Sequence, residues 1–450
     1  MQEAARVIAF EGLATFDRDG KPQPGLAESW SEAPDGLSWR IHLRPSVRFH
    51  DGKLLDARTV VDVLRQRMLQ QMGPAATDIS EITVAGDRDV LIRLNARSAF
   101  VPEALEIAVQ EPNQPDIGTG PFRIVSSSSN GIEMAANQDY YLGAPRIDRI
   151  VFKPYASLRA AWADMMRSQV DVLYDVGPDA LDLLRPASNV HVFEFRQRYA
   201  YIILLNLRRL KFKDKQIRAA INGAIDRDKL IADVFQGFGT PAVGPVWPEH
   251  WAYDRNLPMF RYSPATAAKA FGSVPADPAA RRAGQGNIRF TCLFGEATQE
   301  PLALSVQQQL QPFGVDMNPE LLSLDEFQER FTSGNFDAVL LNALIGPNLL
   351  RLYQFWHSDA PYNFGGFHSG AVDRSLDSIR HAADDDAYRT GVAALQRAIA
   401  EEAPAVFLTW SARARAVSDR FDVAPNPNGD VLKTLRLWRP ATGERTAGEN

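Results

Sequence analysis

Residues 288–342 read IRFTCLFGEATQEPLALSVQQQLQPFGVDMNPELLSLDEFQERFTSGNFDAVLLN, and their patterning decides the fold. Ile288–Phe294 is an apolar run of strand length. Leu302, Val306 and Leu310 then step by four, as one face of a helix does, and Gly314 stands where a helix stops. Val315 and Met317 alternate as a second strand. Asp325 opens a helix with Phe327 and Phe331 four apart, ended at Gly334, and Phe336–Asn342 is a third apolar strand. Strand–helix–strand–helix–strand with short links predicts a parallel sheet with helices packed on it, hence an α/β fold. Open sheets of this kind bind ligands outside the carboxyl ends of their strands. Here those ends are Gly295-Glu296 and Asn342–Pro347.

The second end leads into a stretch dense in aromatics. Tyr353, Phe355 and Trp356 are followed by Tyr362-Asn363-Phe364 and Phe367, with Pro361, Gly365, Gly366 and Gly370 interrupting. This predicts an aromatic loop over the sheet edge, suited to a ligand wall. On the other side, Ser273–Gly286 is rich in Pro, Ala and Arg and reads as an exposed loop, and Pro241, Gly244, Pro245 and Pro248 mark a crossover between lobes. Upstream, Leu158, Ala161, Trp162 and Met165 form one helical stripe, and Ile217 to Ile225 another, with Asp226 capping a further helix. In the first third, Trp39, Ile41 and Leu43 alternate as a strand and Val47 and Phe49 resume the alternation. Val60, Leu64 and Met68 recur at helical spacing, with Asp56 and Thr59 as candidate caps before them, and Val90, Ile92 and Leu94 alternate again.

The chain has 450 residues, enough for roughly two to four domains. Its formal net charge is −6, with no basic stripe, which argues against nucleic acid as a partner. The one cysteine, Cys292, lies in the apolar run 288–294 and reads as a buried strand thiol; it can form neither a disulfide within the chain nor a thiolate metal site alone. The seven histidines are scattered, with His357 and His368 flanking the aromatic stretch, so no metal is expected. Asp384-Asp385-Asp386 precede a helical pattern, where acids favour the helix dipole. There is no Walker loop and no Gly-x-Ser-x-Gly elbow, and Pro121 spoils the partial dinucleotide fingerprint at Gly118-Thr119-Gly120. No cofactor and no enzymatic chemistry are expected. No apolar run approaches the ~20 residues of a membrane span. Met1–Arg6 carries no signal-peptide pattern, which leaves two alternatives: a protein that stays inside, or a presequence outside this chain.

Several segments together resemble family 5 extracellular solute-binding proteins, the oligopeptide-, dipeptide- and nickel-binding relatives that feed ABC importers. They are Pro24–Trp30, Asp35–Trp39, Leu43–Gly52, Gly118–Phe122, Asn137–Tyr141 with Gly143 and Pro145, Asn206, Ile217–Ile221, Ala224–Arg227, Gly334–Asp337, Val372-Asp373 and Glu402–Pro404. The match starts near Glu11-Gly12-Leu13, so the family's usual first strand is either cut away or supplied differently.

The resemblance implies a two-lobed, periplasmic-binding-protein-like fold (type II, cluster C-like) with an extra N-terminal subdomain. Residues 1–244 would form the first lobe and 245–410 the second, with 411–450 returning to the first. It implies capture of a small ligand by hinge closure, a permease of the cytoplasmic membrane as partner, a periplasmic or extracellular location, and a monomer. A cytoplasmic ligand sensor of the same fold and a hydrolase are the alternatives. Candidate ligand contacts are Arg123 beside the Gly118–Phe122 landmark, Asn206 closing the run Ile202–Leu205, Trp247 in the crossover, Glu296 and Asn342 at strand ends, and Trp356, Tyr362, Asn363 and Phe364 in the aromatic stretch. Arg123 could alternatively be an exposed strand residue, and Asn206 a backbone partner. Peptide binders of the family carry an acid after the strand matching Phe336–Asn342. Residues 342–348 contain none, so a peptide ammonium would lack its partner there.

Overall fold

In the computed structural model, which describes residues 1–441 apart from 112, 113, 115, 258, 274–287, 347 and 427–428, the expected alternation folds as strands Ile288–Phe294, Val315–Leu321 and Ala338–Leu344. Helices Glu300–Leu310 and Leu324–Thr332 lie between them, and Ile288–Phe294 pairs in parallel with both other strands. The third strand starts later than the expected Phe336 because the Asn206 amide takes the Phe336 carbonyl (2.8 Å) out of the ladder. Cys292 is fully buried on the central strand, and burial pushes its thiol up to about 12. The loop expected at Ser273–Gly286 lies, except for Ser273, outside the described residues, as does Pro347.

Two long strands, Val190–Leu205 and Ala405–Ser418, run antiparallel through the same sheet and make it mixed rather than parallel. Their ladder breaks between Arg196 and Ala200. On one side of the break residues 190–196 pair with 412–418 over a core of Met165, Leu173, Leu181, Val190, Ala414 and Ala416. On the other side 200–205 pair with both 405–410 and 338–344, over Ile203, Leu205, Phe290, Leu340, Val406 and Leu408. A ladder that shifts register bends and twists the strands that carry it. The result is a two-lobed α/β architecture in which the chain passes between lobes on adjacent strands.

The extra N-terminal subdomain is a four-stranded antiparallel sheet, ordered Ala27–Glu32, Ser38–Leu43, Asp89–Leu94, Ile79–Gly86. A helical run from Ala57 to Met72 packs on it, opened by Asp56 accepting from the Thr59 amide (2.8 Å) and burying Val60, Leu64 and Met68 as their spacing predicts. Val47 and Phe49 are buried but form no strand. The Phe49 amide turns back to Lys53 O (2.8 Å), so the alternation there reflects burial without a ladder. The helical stripes at 158–165 and 217–225 appear as Leu158–Met166 and Lys215–Ala224, and Asp226 caps Arg227–Phe235.

The motifs that carry the family resemblance meet in structural braces. Glu11 accepts from Thr119 Oγ1 (2.9 Å), Tyr140 Oη (2.7 Å) and Tyr141 Oη (3.0 Å), and burial nonetheless raises its pKa. Gly118 and Gly120 are glycines because a Cβ would sit 2.1 and 2.4 Å from the Ala9 and Ile8 carbonyl oxygens. The buried Arg227 donates to the carbonyls of Ala242 (2.9 Å), Phe407 (2.8 Å), Asn222 (3.1 Å) and Ile225 (3.1 Å), tying helix, crossover and long strand together. Among the described residues no helix is long and apolar enough to cross a membrane.

Candidate functional site

At Leu344, the carboxyl end of the third parallel strand, a cavity of about 520 Å³ opens between the N-terminal subdomain and the second lobe. Arg67, Gln70 and Gln71 line one wall from the helical run 57–72; their i, i+3, i+4 spacing puts them on one face. Glu106, Ile107 and Ala108 follow the short helix Phe100–Ala104 on the same side. The facing wall is Arg351, Gln354 and Phe355, again at i, i+3, i+4, on the helix Leu349–Trp356, with Tyr362 beyond it. Asn348 starts that helix by accepting from the Arg351 amide (3.0 Å). Phe355 and Tyr362 present neighbouring rings, 5.7 Å between centroids.

Charge in the cavity is asymmetric. Glu106, the one carboxylate among the described lining residues, accepts from Arg351 Nη2 (2.7 Å) and from Arg198. Burial alone would raise its pKa, but the two guanidiniums outweigh this and hold it below the usual carboxylate range. Arg67 donates from Nη1 to Ala108 O (2.9 Å) and Gln110 Oε1 (3.0 Å), and burial lowers its pKa. The buried Arg351 Nε has no hydrogen-bond partner among the described residues. The side-chain amides of Gln70, Gln71 and Gln354 make no hydrogen bond among the described residues either.

Beside the cavity the subdomain and the second lobe are locked by further contacts. Phe100 meets Tyr353 edge-on at 5.7 Å. Buried Glu103 accepts from the Leu350 amide (2.7 Å) and Tyr388 Oη (2.6 Å), and the Ala99 amide donates to Arg380 O (2.7 Å). Asp78 pairs with Arg380 (3.3 Å) and His381 (3.2 Å). A second hollow, about 430 Å³, lies at the opposite, amino ends of the parallel strands, where Lys211 and Asp337 pair with each other (2.7 Å).

Of the residues singled out from sequence, Tyr362 lines the cavity. Arg123 is an exposed strand residue, and Glu296 is exposed past its strand. Asn206 is buried and donates to Gly334 O (3.0 Å) and Phe336 O, the backbone role. Trp247 donates to Arg18 O (2.9 Å) and stands edge-on to Trp410 at 4.9 Å, beside the break in the long ladder. Asn342 accepts from Ser411 Oγ (3.1 Å) at the same break. Trp356 is fully buried against Phe367 and Phe407. Asn363 staples its own turn, donating to Ser358 O (3.0 Å) and Phe367 O (2.6 Å), and Phe364 packs on Phe331 (4.7 Å). The expected aromatic loop is half helix: Tyr353, Phe355 and Trp356 belong to Leu349–Trp356. Sequence reasoning passed over Arg67, Gln70, Gln71, Glu106, Arg351 and Gln354. Glu106 follows a helix without a signal of its own, and the only signal of the others is a polar helix face, which is also what a solvated helix shows.

Among the described residues no three of His, Cys, Asp or Glu are grouped to hold a metal ion. His357 stacks on Tyr353 at 4.5 Å, and His368 is exposed.

The profile of one protein family, described as bacterial extracellular solute-binding proteins, family 5 Middle, matches residues 21–363. The oligopeptide-binding protein AppA of Bacillus subtilis is 24% identical over 471 residues, which span 96% of this chain and 86% of that protein. Its structure with a nonapeptide superposes with a TM-score of 0.82 at 21% identity, over 98% of this chain and 94% of that one. NikA of Brucella suis, in complex with Fe(III)-EDTA, gives a TM-score of 0.84 at 19% identity, over 97% and 95% of the two chains. These structural likenesses speak for the fold.

Proposed function

The chain belongs to the bacterial extracellular solute-binding proteins, family 5, and from that membership we propose that it is the substrate-binding component of an ABC-type importer. It captures a small solute between its lobes by hinge closure and leaves it chemically unchanged. The closed form, a monomer on the periplasmic or extracellular side, then docks on a permease in the cytoplasmic membrane.

The observation that carries this reading is the 520 Å³ cavity, walled on one side by the N-terminal subdomain and on the other by the second lobe. That volume suits a small ligand. A ligand touching both walls binds the closed form better than the open one, which is the condition for it to drive closure. The break in the long ladder at Arg196–Ala200, opposite Trp410–Ala412, supports hinge crossings there. The first lobe would then comprise residues 1–196 and the return from about 411, in preference to a boundary at 244.

The test is a thermal-shift screen of small solutes, followed by small-angle scattering. A ligand that binds only the folded form adds about 2.7 kcal/mol at 100 times its Kd. It should also shrink the radius of gyration and be recovered intact. Consumption of the ligand would replace this reading with an enzymatic one. A bound ligand that leaves the radius unchanged would remove hinge closure.

A further inference from the structure

We propose that the cavity takes a compact carboxylic acid that carries no free ammonium group. This rests on the reading of the cleft as the solute site, and it names the chemistry of the cargo.

A buried polar atom costs free energy unless it is bonded, and a buried charge costs more unless it is paired. The cavity offers surplus donors. Arg351 uses Nη2 on Glu106 (2.7 Å), and its Nη1, unlike the occluded Nε, bonds nothing among the described residues yet is open to the cavity side. Arg67 bonds through Nη1 alone among the described residues. Three glutamine amides add further unbonded donors. A carboxylate would take paired N–H groups from a guanidinium in the geometry that guanidinium favours.

Acceptor charge, by contrast, is already matched. Glu106 is bridged by Arg198 and Arg351, and no other carboxylate lines the cavity among the described residues. An ammonium enclosed there would meet two guanidiniums and no free counter-charge, a burial that costs several kcal/mol. A free amino acid or peptide is therefore disfavoured, and an acid whose nitrogen is acylated or absent is favoured. The rings of Phe355 and Tyr362, 5.7 Å apart, supply a surface for its apolar or flat part.

Calorimetry and thermal shift on the full chain test this with matched probes. The set is N-acetyl-L-phenylalanine, its primary amide and L-phenylalaninamide, extended to a panel of small carboxylates each paired with its amide. The carboxylates are expected to bind at least about tenfold tighter than their amides, and the cations to give no shift. Arg351→Gln and Arg67→Gln should each weaken the carboxylates by about 10–100-fold and leave the amides unchanged, with Arg351→Lys losing less. Amides or cations that bind as well as the acids would overturn the assignment. If Tyr362→Ala weakens that binding, solute capture itself still stands. A panel in which no carboxylate binds also overturns the assignment; if a broad solute screen is empty as well, the solute-binding reading falls with it.

Discussion

Asp430→Ala is expected to lower the stability of the protein by about 3–5 kcal/mol. Arg415 is 1% exposed on the long strand Ala405–Ser418. Its guanidinium bonds Asp430 through Nε (3.2 Å) and Nη2 (2.7 Å), donates to Tyr174 O, and lies 4.0 Å from the Tyr174 ring centre and 4.8 Å from that of Phe195. Removing the carboxylate leaves that charge buried with ring faces and a carbonyl as its remaining partners. Asp430 also accepts from the Leu432 amide (3.1 Å) at the start of the last helical segment, so the cap is lost with it. Urea unfolding of the variant measures the loss. The double variant with Arg415→Met should recover part of it, because a neutral side chain no longer needs the partner. A loss under 1 kcal/mol would mean that the pair does not brace the strand.

Stability should fall as pH rises from about 4.5 to 7, by up to about 3 kcal/mol from Glu103 alone. Burial pushes this carboxyl up to about 7; the Tyr388 hydroxyl and the Leu350 amide offset it only in part, and the nearby Glu106 charge adds to the rise. A native pKa above the unfolded value of 4.5 means that the folded protein binds the extra proton. The contribution is thus fully present below pH 4.5 and is lost as pH climbs through 7. This is the reverse of an ion-paired carboxylate such as Glu106, whose contribution appears above its unfolded pKa. Glu103→Gln should flatten this part of the profile and raise the midpoint at pH 8, since the amide can accept from Leu350 N and donate to the Tyr388 oxygen without charge. Thermal unfolding at pH 5, 6, 7 and 8 reads it. A variant that tracks the parent chain at all four values would refute the assignment. Glu103 joins the subdomain to Leu350 and Tyr388, so the lost stability falls on that contact.

Residues 288–342 announced their elements because strand and helix periods are local: each apolar position there is repeated by the next turn or the next alternate residue. Asn206 shows the limit. Its place at the end of an apolar run marked it as a polar group needing bonds, but only the fold shows that Gly334 and Phe336 receive them. Val47 and Phe49 show another, since burial of alternate residues was legible and the absence of a ladder was not. Aromatics drew attention as a ligand wall, yet Trp356 and Phe364 are packed among other rings, as large apolar groups usually are.

By itself, then, the sequence determined the α/β class, the parallel strand triplet, the buried thiol, the helix caps at Asp56 and Asp226, and the family through motifs that turn out to be braces. Those features depend on neighbours along the chain or on the packing that the motifs brace. The tertiary structure alone decided the break in the long ladder and the cavity. Arg67 and Arg351 are nearly three hundred residues apart, and each sits on a polar helix face that reads as solvated. Only the closing of the second lobe against the subdomain turns two such faces toward one another. Nothing local in either segment encodes that meeting, because the charge of a site belongs to the groups that converge on it in space.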